Sequence, residues 1–423
     1  MSRPLTFPRD PSNSSRRASS GIRVAFLILA AALLVAIAGT APARADAPGD
    51  AAGAESKACG QGQIARSGGC TSVRRAAGHV VTLARRAMRE NGLRAVILRV
   101  DVGERNLVTT ALGHSMVGVP ATERMHFRIG SMAIPYLTTL LLQLRDEGRL
   151  RLDDKLADWF PELPEADRIT LRMLANNTSG YRDYIQGNPA FAETLYANVF
   201  RQWKPAELLA TALDRGPACE PGACFNYAHT NFILLSKVLR EVTGRPVAKL
   251  MQKRIFAPLG LRDTDISPRP DIPAPVLHAY TSDRGVYEDS TFWSPSWTIG
   301  SGTIMTSDID DVAESARAIG TGKLLSRRSR REQFAPSTAG LSGLTSELYY
   351  GLGVLVTGSW RFQNPMLNGY TGVMAYLPAE KLSIAVTATN GEAASLADKS
   401  ASELLFTEIG GYLAPDHPAT LPG

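Results

Sequence analysis

Lysine, histidine, cysteine and long apolar runs are all scarce in this chain of 423 residues, and each shortage excludes something. Nine lysines (Lys57, Lys155, Lys204, Lys237, Lys249, Lys253, Lys323, Lys381 and Lys399) stand among 46 basic residues. Any chemistry that needs a lysine therefore has few candidates. Six histidines and four cysteines are scattered, without C-x-x-C spacing, so a zinc site has little support and no metal or cofactor is expected. Only one apolar run, Val24–Ala38, approaches the length of a membrane span, which excludes a protein with several spans. Charge of one sign is missing where a nucleic-acid partner would need it. Residues 1–45 carry six arginines (Arg3, Arg9, Arg16, Arg17, Arg23 and Arg44) against Asp10, which is +5 of the formal +6. The rest of the chain is nearly neutral, so no nucleic-acid partner is expected.

The N-terminus is the exception to this poverty. Arg16, Arg17 and Arg23 precede the apolar run, and Ala43-Arg44-Ala45 follows it with small residues at the two positions a signal peptidase reads. Residues 1–45 read as a secretory signal cut before Asp46. An uncleaved membrane anchor is the other reading of the same run, whereas Arg16-Arg17 lacks the following Phe-Leu of a twin-arginine address. Membrane contact, on either reading, is confined to this segment. Outside the cytoplasm, Cys59, Cys70, Cys219 and Cys224 become disulfide candidates. Three pairings are possible, and closeness in sequence favours Cys59–Cys70 and Cys219–Cys224.

Residues 46–75 are rich in Ala, Gly and Ser and read as a flexible linker with one Cys-closed loop. One domain is expected over 76–415. From about Val80 a helical pattern, VTLARRAMRENG, runs to Gly92, and the strand-like RAVILRV and NLVTTALG follow around the turn DVGER. Helical patterns then dominate from Ser131 to about Val247: LTTLLLQLRDEG, ITLRMLANNTSG, AELLATALDRG and NFILLSKVLREVTG. Strands return late as YYGLGVLV, GVMAYLP and KLSIAVTAT, before a last helical pattern, SLADKSASELLFTEIG. This order predicts an antiparallel sheet built from both ends of the chain, with a helical insertion at about 150–290. There is no internal repeat.

Chemistry enters at FRIGS, Phe127–Ser131, a short strand running into a helix with Ser131 at the junction. Further phrases follow in order: LRLDDKLADWFPELP, ITLRMLANNTSGYRDY, FNYAHTNFILLSKVLREVTG, IFAPLGLRDT, GSGTIMTSDIDDV, YYGLGV and GYTGVMAYLP. Together they resemble the serine β-lactamase and penicillin-binding-protein family, with its D-alanyl-D-alanine carboxypeptidase and esterase relatives, over roughly 90–400. The resemblance implies an α/β fold in which helices flank an antiparallel sheet and a helical subdomain is added, with the site in the crevice between them. It also implies three active-site elements: a serine at a helix start with a lysine three residues on, a Tyr-x-Asn loop, and a strand carrying Lys-Thr-Gly or His-x-Gly beside the oxyanion site. Each element is present here in altered form. Ser131 takes the nucleophile position, but Ile134 stands where the lysine belongs. The loop reads Tyr227-Ala228-His229, and the strand reads Tyr370-Thr371-Gly372.

A serine hydroxyl is a weak nucleophile at neutral pH and needs a neighbouring base. Ile134 offers neither charge nor lone pair, and removing one member of a nucleophile–base unit costs on the order of 10³–10⁶ in rate. None of the nine lysines lies in the three elements. His229 is a new titratable group in the tyrosine loop, and histidine is the usual general base near neutral pH. A Ser131–His229 pair with Tyr227 as donor or oxyanion support is one expectation. Tyr370 would add a hydroxyl where the family places a cation, with Thr371 and Gly372 beside it. Plainer roles stand next to these: Ser131 as a helix N-cap, Ile134 as core, Tyr227 as a packed aromatic, His229 as a hydrogen-bonded loop residue, Thr371 and Gly372 as strand residues, and Asn177 as structural. The expected function is that of a secreted serine hydrolase forming an acyl-enzyme on Ser131. Its partner would be a small peptide or ester, peptidoglycan stem peptides being the class the resemblance implies. The contrasting expectation is a non-catalytic relative that binds a wall peptide or a partner protein in the same cleft.

Overall fold

The computed structural model describes residues 59–66, 69–300, 302–394 and 400–421. The leader and residues 46–58 of the expected linker lie outside the described residues. Where the linker was expected to continue to residue 75, the chain instead forms an antiparallel hairpin, Gln63–Arg66 with Gly69–Ser72. It is closed by the Cys59–Cys70 disulfide and anchored by Ile64, which is buried. Helix α1, Val73–Glu90, starts earlier than the pattern near Val80 suggested. Ser72 supplies the reason, because its side chain accepts a hydrogen bond from Arg75 N and satisfies one of the unpaired donors of the first turn.

A nine-stranded sheet forms the centre. Its strands, in chain order, are β1 (Leu93–Val102), β2 (Arg105–Met116), β3 (Val119–Pro120), β4 (Leu348–Tyr350), β5 (Leu355–Thr357), β6 (Trp360–Gln363), β7 (Met366–Leu367), β8 (Tyr370–Leu377) and β9 (Leu382–Asn390). In space they run β4-β5-β6-β8-β9-β1-β2-β3, with β7 beside β8, and every pairing is antiparallel. The two ends of the chain thus meet at β9 and β1, as the strand order predicted. Successive side chains of a strand point to opposite faces. On β1, Val96, Leu98 and Val100 therefore join one core with α1 and the C-terminal helix α5 (Ala401–Leu413), while Ala95 and Ile97 join the other.

That second core is the larger and carries the site. It packs the sheet against α2 (Ile134–Asp146) and α4 (Ile309–Thr321), and continues through α3 (His229–Thr243) into the helical part of the chain. Helix α2 is buried along nearly its whole length, which is why LTTLLLQL carries so few polar residues. The result is an antiparallel sheet flanked by helices on both faces, as expected from the sequence. Among the described residues, no helix is long and apolar enough to cross a membrane, and no group of three His, Cys, Asp or Glu side chains is placed to hold a metal ion.

Candidate active site

Ser131 lies between a two-residue strand, Phe127–Arg128, and α2, inside a 3-10 turn of Gly130–Ala133. Gly130 has φ of 47°, a left-handed backbone, and a Cβ there would come within 2.7 Å of the Pro365 side chain. Only glycine suits both conditions. The tight turn leaves Ser131 half-buried at the mouth of the helix, while Pro135 sits in the first turn, where its missing N–H costs nothing. Ile134 follows Ser131 by one turn. It is fully buried, packs over Gly353 and belongs to the main core. The helix face that would carry a base beside the serine is filled with hydrocarbon.

The Ser131 hydroxyl instead meets Tyr227. The two oxygens are 3.0 Å apart, and either can donate. Tyr227 is held by a dense set of bonds between two loops. Asn177, buried and left-handed at φ 61°, accepts from Ala228 N at 3.1 Å and from Asn231 Nδ2 at 2.9 Å, and its carbonyl accepts from Asn226 N. Ser179 donates to Asn231 Oδ1, and Asn226 Nδ2 donates to the Tyr181 carbonyl. The Cys219–Cys224 disulfide closes the segment leading into Tyr227, and this segment is tied by Ala218 N and Gly222 N to the carbonyls of Gly180 and Thr178. Asn177 thus serves as scaffold. Burial raises the Tyr227 pKa, the hydrogen bond with Ser131 opposes this in part, and the Asp183 charge raises it further. The phenol stays protonated at neutral pH and serves as a hydrogen-bonding partner of Ser131 rather than as its base.

His229 is the first residue of α3, and its ring packs edge-on to Tyr227 with centroids 5.2 Å apart. Ser131 and His229 are not joined by a hydrogen bond; Tyr227 is the residue that touches both. The ring's Nδ1 lies 2.6 Å from Asp183 Oδ2, which also accepts from His229 N at 2.7 Å. The other carboxylate oxygen accepts from Ile185 N and Gln186 N. Burial pushes the Asp183 carboxyl up, but the His229 charge and these hydrogen bonds outweigh it and hold the carboxyl below its ordinary range. No motif singled Asp183 out. It lies in GYRDY, a loop without periodicity, and its only signal in the sequence is an acidic residue between Arg182 and Tyr184.

The third element behaves differently from the expectation. Tyr370, the first residue of β8, is buried and donates its hydroxyl to the Leu277 carbonyl at 2.5 Å. It belongs to the core and does not replace the missing cation. Thr371 points to the other face and bonds Ser402 of α5 at 2.8 Å. Gly372 does adjoin the serine turn: a Cβ there would stand 3.0 Å from Met132 Cε. Of the six site residues read from the sequence, then, Ser131, Tyr227 and His229 gather at one place with Gly372 beside them, and the hydroxyls of Tyr370 and Thr371 are used elsewhere.

A nucleophile-position serine at a helix start, a tyrosine loop facing it and an antiparallel sheet behind define the class of the serine penicillin-recognising folds. Residues 80–406 match the Beta-lactamase family, and the chain belongs to it. It is 29% identical over 273 residues to a D-aminopeptidase of Cereibacter sphaeroides, covering 61% of this chain and 48% of that protein. It is 27% identical over 197 residues to penicillin-binding protein 4 of Amycolatopsis lactamdurans, covering 45% and 49%. The chain thus spans about half the length of the curated relatives it matches. A D-stereospecific amidohydrolase from Streptomyces sp. superimposes with a TM-score of 0.68 at 26% identity, over 81% of this chain and 98% of that one.

Proposed function

We propose that this protein is an extracytoplasmic serine hydrolase that cleaves small peptide or ester bonds through an acyl-enzyme on Ser131. The observation that carries the reading is the 3.0 Å contact between Ser131 Oγ and Tyr227 Oη at the open start of α2. A hydroxyl there is oriented, reachable and already paired with a second proton-carrying group. The names of the relatives, an aminopeptidase and an amidohydrolase of D-configured substrates, support an amide or peptide substrate. Peptidoglycan stem peptides, which contain D-residues, are the natural class. The two disulfides fit an oxidising compartment.

One observation favours a second reading. Ile134 is wholly buried where the family's base would be, which suits a descendant that binds a wall peptide without cutting it. A fluorophosphonate or fluorescent penicillin, followed by mass spectrometry of the labelled peptide, separates the two. The hydrolase reading expects an adduct on Ser131 that is lost in Ser131→Ala. No adduct, together with retained peptide binding, selects the binder.

A further inference from the structure

If Ser131 is the nucleophile, its proton needs an acceptor, and neither Ile134 nor the protonated Tyr227 is one. Three rings pack around Tyr227: His229 at 5.2 Å, Phe232 at 6.2 Å and Tyr350 at 6.3 Å. His229 is the nearest and the only one with a basic nitrogen. Which nitrogen is basic depends on Asp183. An ionised carboxylate can only accept, so the Nδ1 that touches it must be the donor. In the neutral ring the remaining lone pair then sits on Nε2. Among the described residues, Nε2 has no hydrogen-bond partner. The ring is held between Tyr227 and Tyr184, whose centroid is 6.0 Å away, and the charged or titratable groups against it are Asp183 and these two phenols.

We infer that Asp183 is the positioning residue of this site: by holding the Nδ1–H of His229 it leaves the Nε2 lone pair to receive the Ser131 proton by way of Tyr227. The inference rests on the reading of Ser131 as nucleophile. In the step it describes, Ser131 Oγ bonds to the substrate carbonyl carbon and the carbonyl π pair moves onto oxygen. The resting phenol bonds Ser131 and not the imidazole, so the relay requires a Tyr227 Oη–Nε2 contact that closes in the substrate complex. The Oγ proton then passes to Tyr227 Oη while the phenol's own proton moves to Nε2, the phenol is unchanged and the imidazole becomes positive. The carbon–nitrogen or carbon–oxygen bond then breaks as the proton returns to the leaving group. The buried carboxylate stabilises the imidazolium between these events without accepting its proton.

Asp183 also staples a loop through four hydrogen bonds, so loss of stability alone is no test. In Asp183→Asn, keeping the amide oxygen on Ile185 N and Gln186 N retains two backbone bonds and gives up only the one from His229 N, so this orientation is favoured and the amide NH₂ then faces Nδ1. This turns Nδ1 into an acceptor and moves the ring proton to Nε2. Nitrogen-15 NMR of histidine-labelled protein reads this directly, and in the wild type it needs no variant. The expectation is Nδ1–H in the wild type and Nε2–H in Asp183→Asn; an Nε2–H ring in the wild type overturns the inference. Fluorophosphonate labelling of Ser131 should slow by about 100-fold or more in both Asp183→Asn and His229→Ala. The double variant should be slower than His229→Ala by less than about threefold, because both changes remove one function. If the wild type labels and Asp183→Asn labels equally fast, or the two losses multiply, the inference fails while the nucleophile reading stands. If the wild type carries no adduct at all, the nucleophile reading fails first and takes this proton route with it.

Discussion

Among the described residues, two histidine–aspartate pairs share nearly the same Nδ1 contact but differ in their surroundings. His229 Nδ1 lies 2.6 Å from Asp183, and His278 Nδ1 lies 2.7 Å from Asp289. The two rings are similarly covered, but the side chain of Asp183 is 2% exposed and that of Asp289 is 39% exposed. Asp183 is enclosed at the start of α3 with every oxygen spoken for by the protein, beside the Ser131–Tyr227 contact. Asp289 bonds Thr291 in a surface hairpin, and its histidine packs edge-on against the exposed Phe292. One contact distance therefore describes two different things. A pair screened by water contributes little, whereas a pair sealed from it fixes a proton's position.

The sharpest way to break this comparison is reactivity. His229→Ala should slow labelling of Ser131 by about 100-fold or more, and His278→Ala by less than about twofold, measured as the rate of fluorophosphonate incorporation. Equal effects would erase the distinction between the pairs. Stability comes next. Asp183→Asn should cost about 2–4 kcal/mol, because a sealed carboxylate's hydrogen bonds to the imidazole and to three backbone N–H groups are disturbed. Asp289→Asn should cost less than about 1 kcal/mol, as exposed pairs do. Urea unfolding of the two variants checks both figures.

The effect of acid sharpens the same point. The Asp183 carboxyl is held below its ordinary range when folded, so its stabilisation is complete above the unfolded pKa near 4 and is lost as the pH falls through the folded value. The stability gap between wild type and Asp183→Asn should narrow across that window; a constant gap from pH 6 to pH 3 would mean that charge is not what Asp183 contributes. Salt gives the smallest effect. Raising sodium chloride to about 0.5 M should weaken what Asp289 contributes by a few tenths of a kcal/mol and leave the Asp183 contribution unmoved.

Much of the fold is legible along the chain. The run RAVILRV announces a strand covered on both faces, NFILLSKVLREVTG announces α3 with Gly244 at its end, and neighbouring cysteines pair with each other. These are local matters of periodicity, capping and short loop closure. The start of α1 was less visible, because Gly78 and His79 interrupt the apolar pattern while the Ser72 cap lies outside it. The site is legible only in part. FRIGS and the tyrosine loop marked Ser131, Tyr227 and His229, but the strand motif suggested a hydroxyl at Tyr370 that the fold spends on Leu277. Nothing local says which way that side chain turns, since both faces of β8 are buried.

The order of residues by itself determined the family, the antiparallel sheet drawn from both chain ends, and the lack of a lysine three places after Ser131. Those follow from side-chain chemistry at known spacings, which needs no third dimension to be read. Only the tertiary structure decided that Ile134 would be sealed into the core and that Asp183, 46 residues before His229, would hold its ring. A hydrogen bond depends on a few tenths of an ångström, and two loops far apart in the chain reach that accuracy only after the core beneath them has packed.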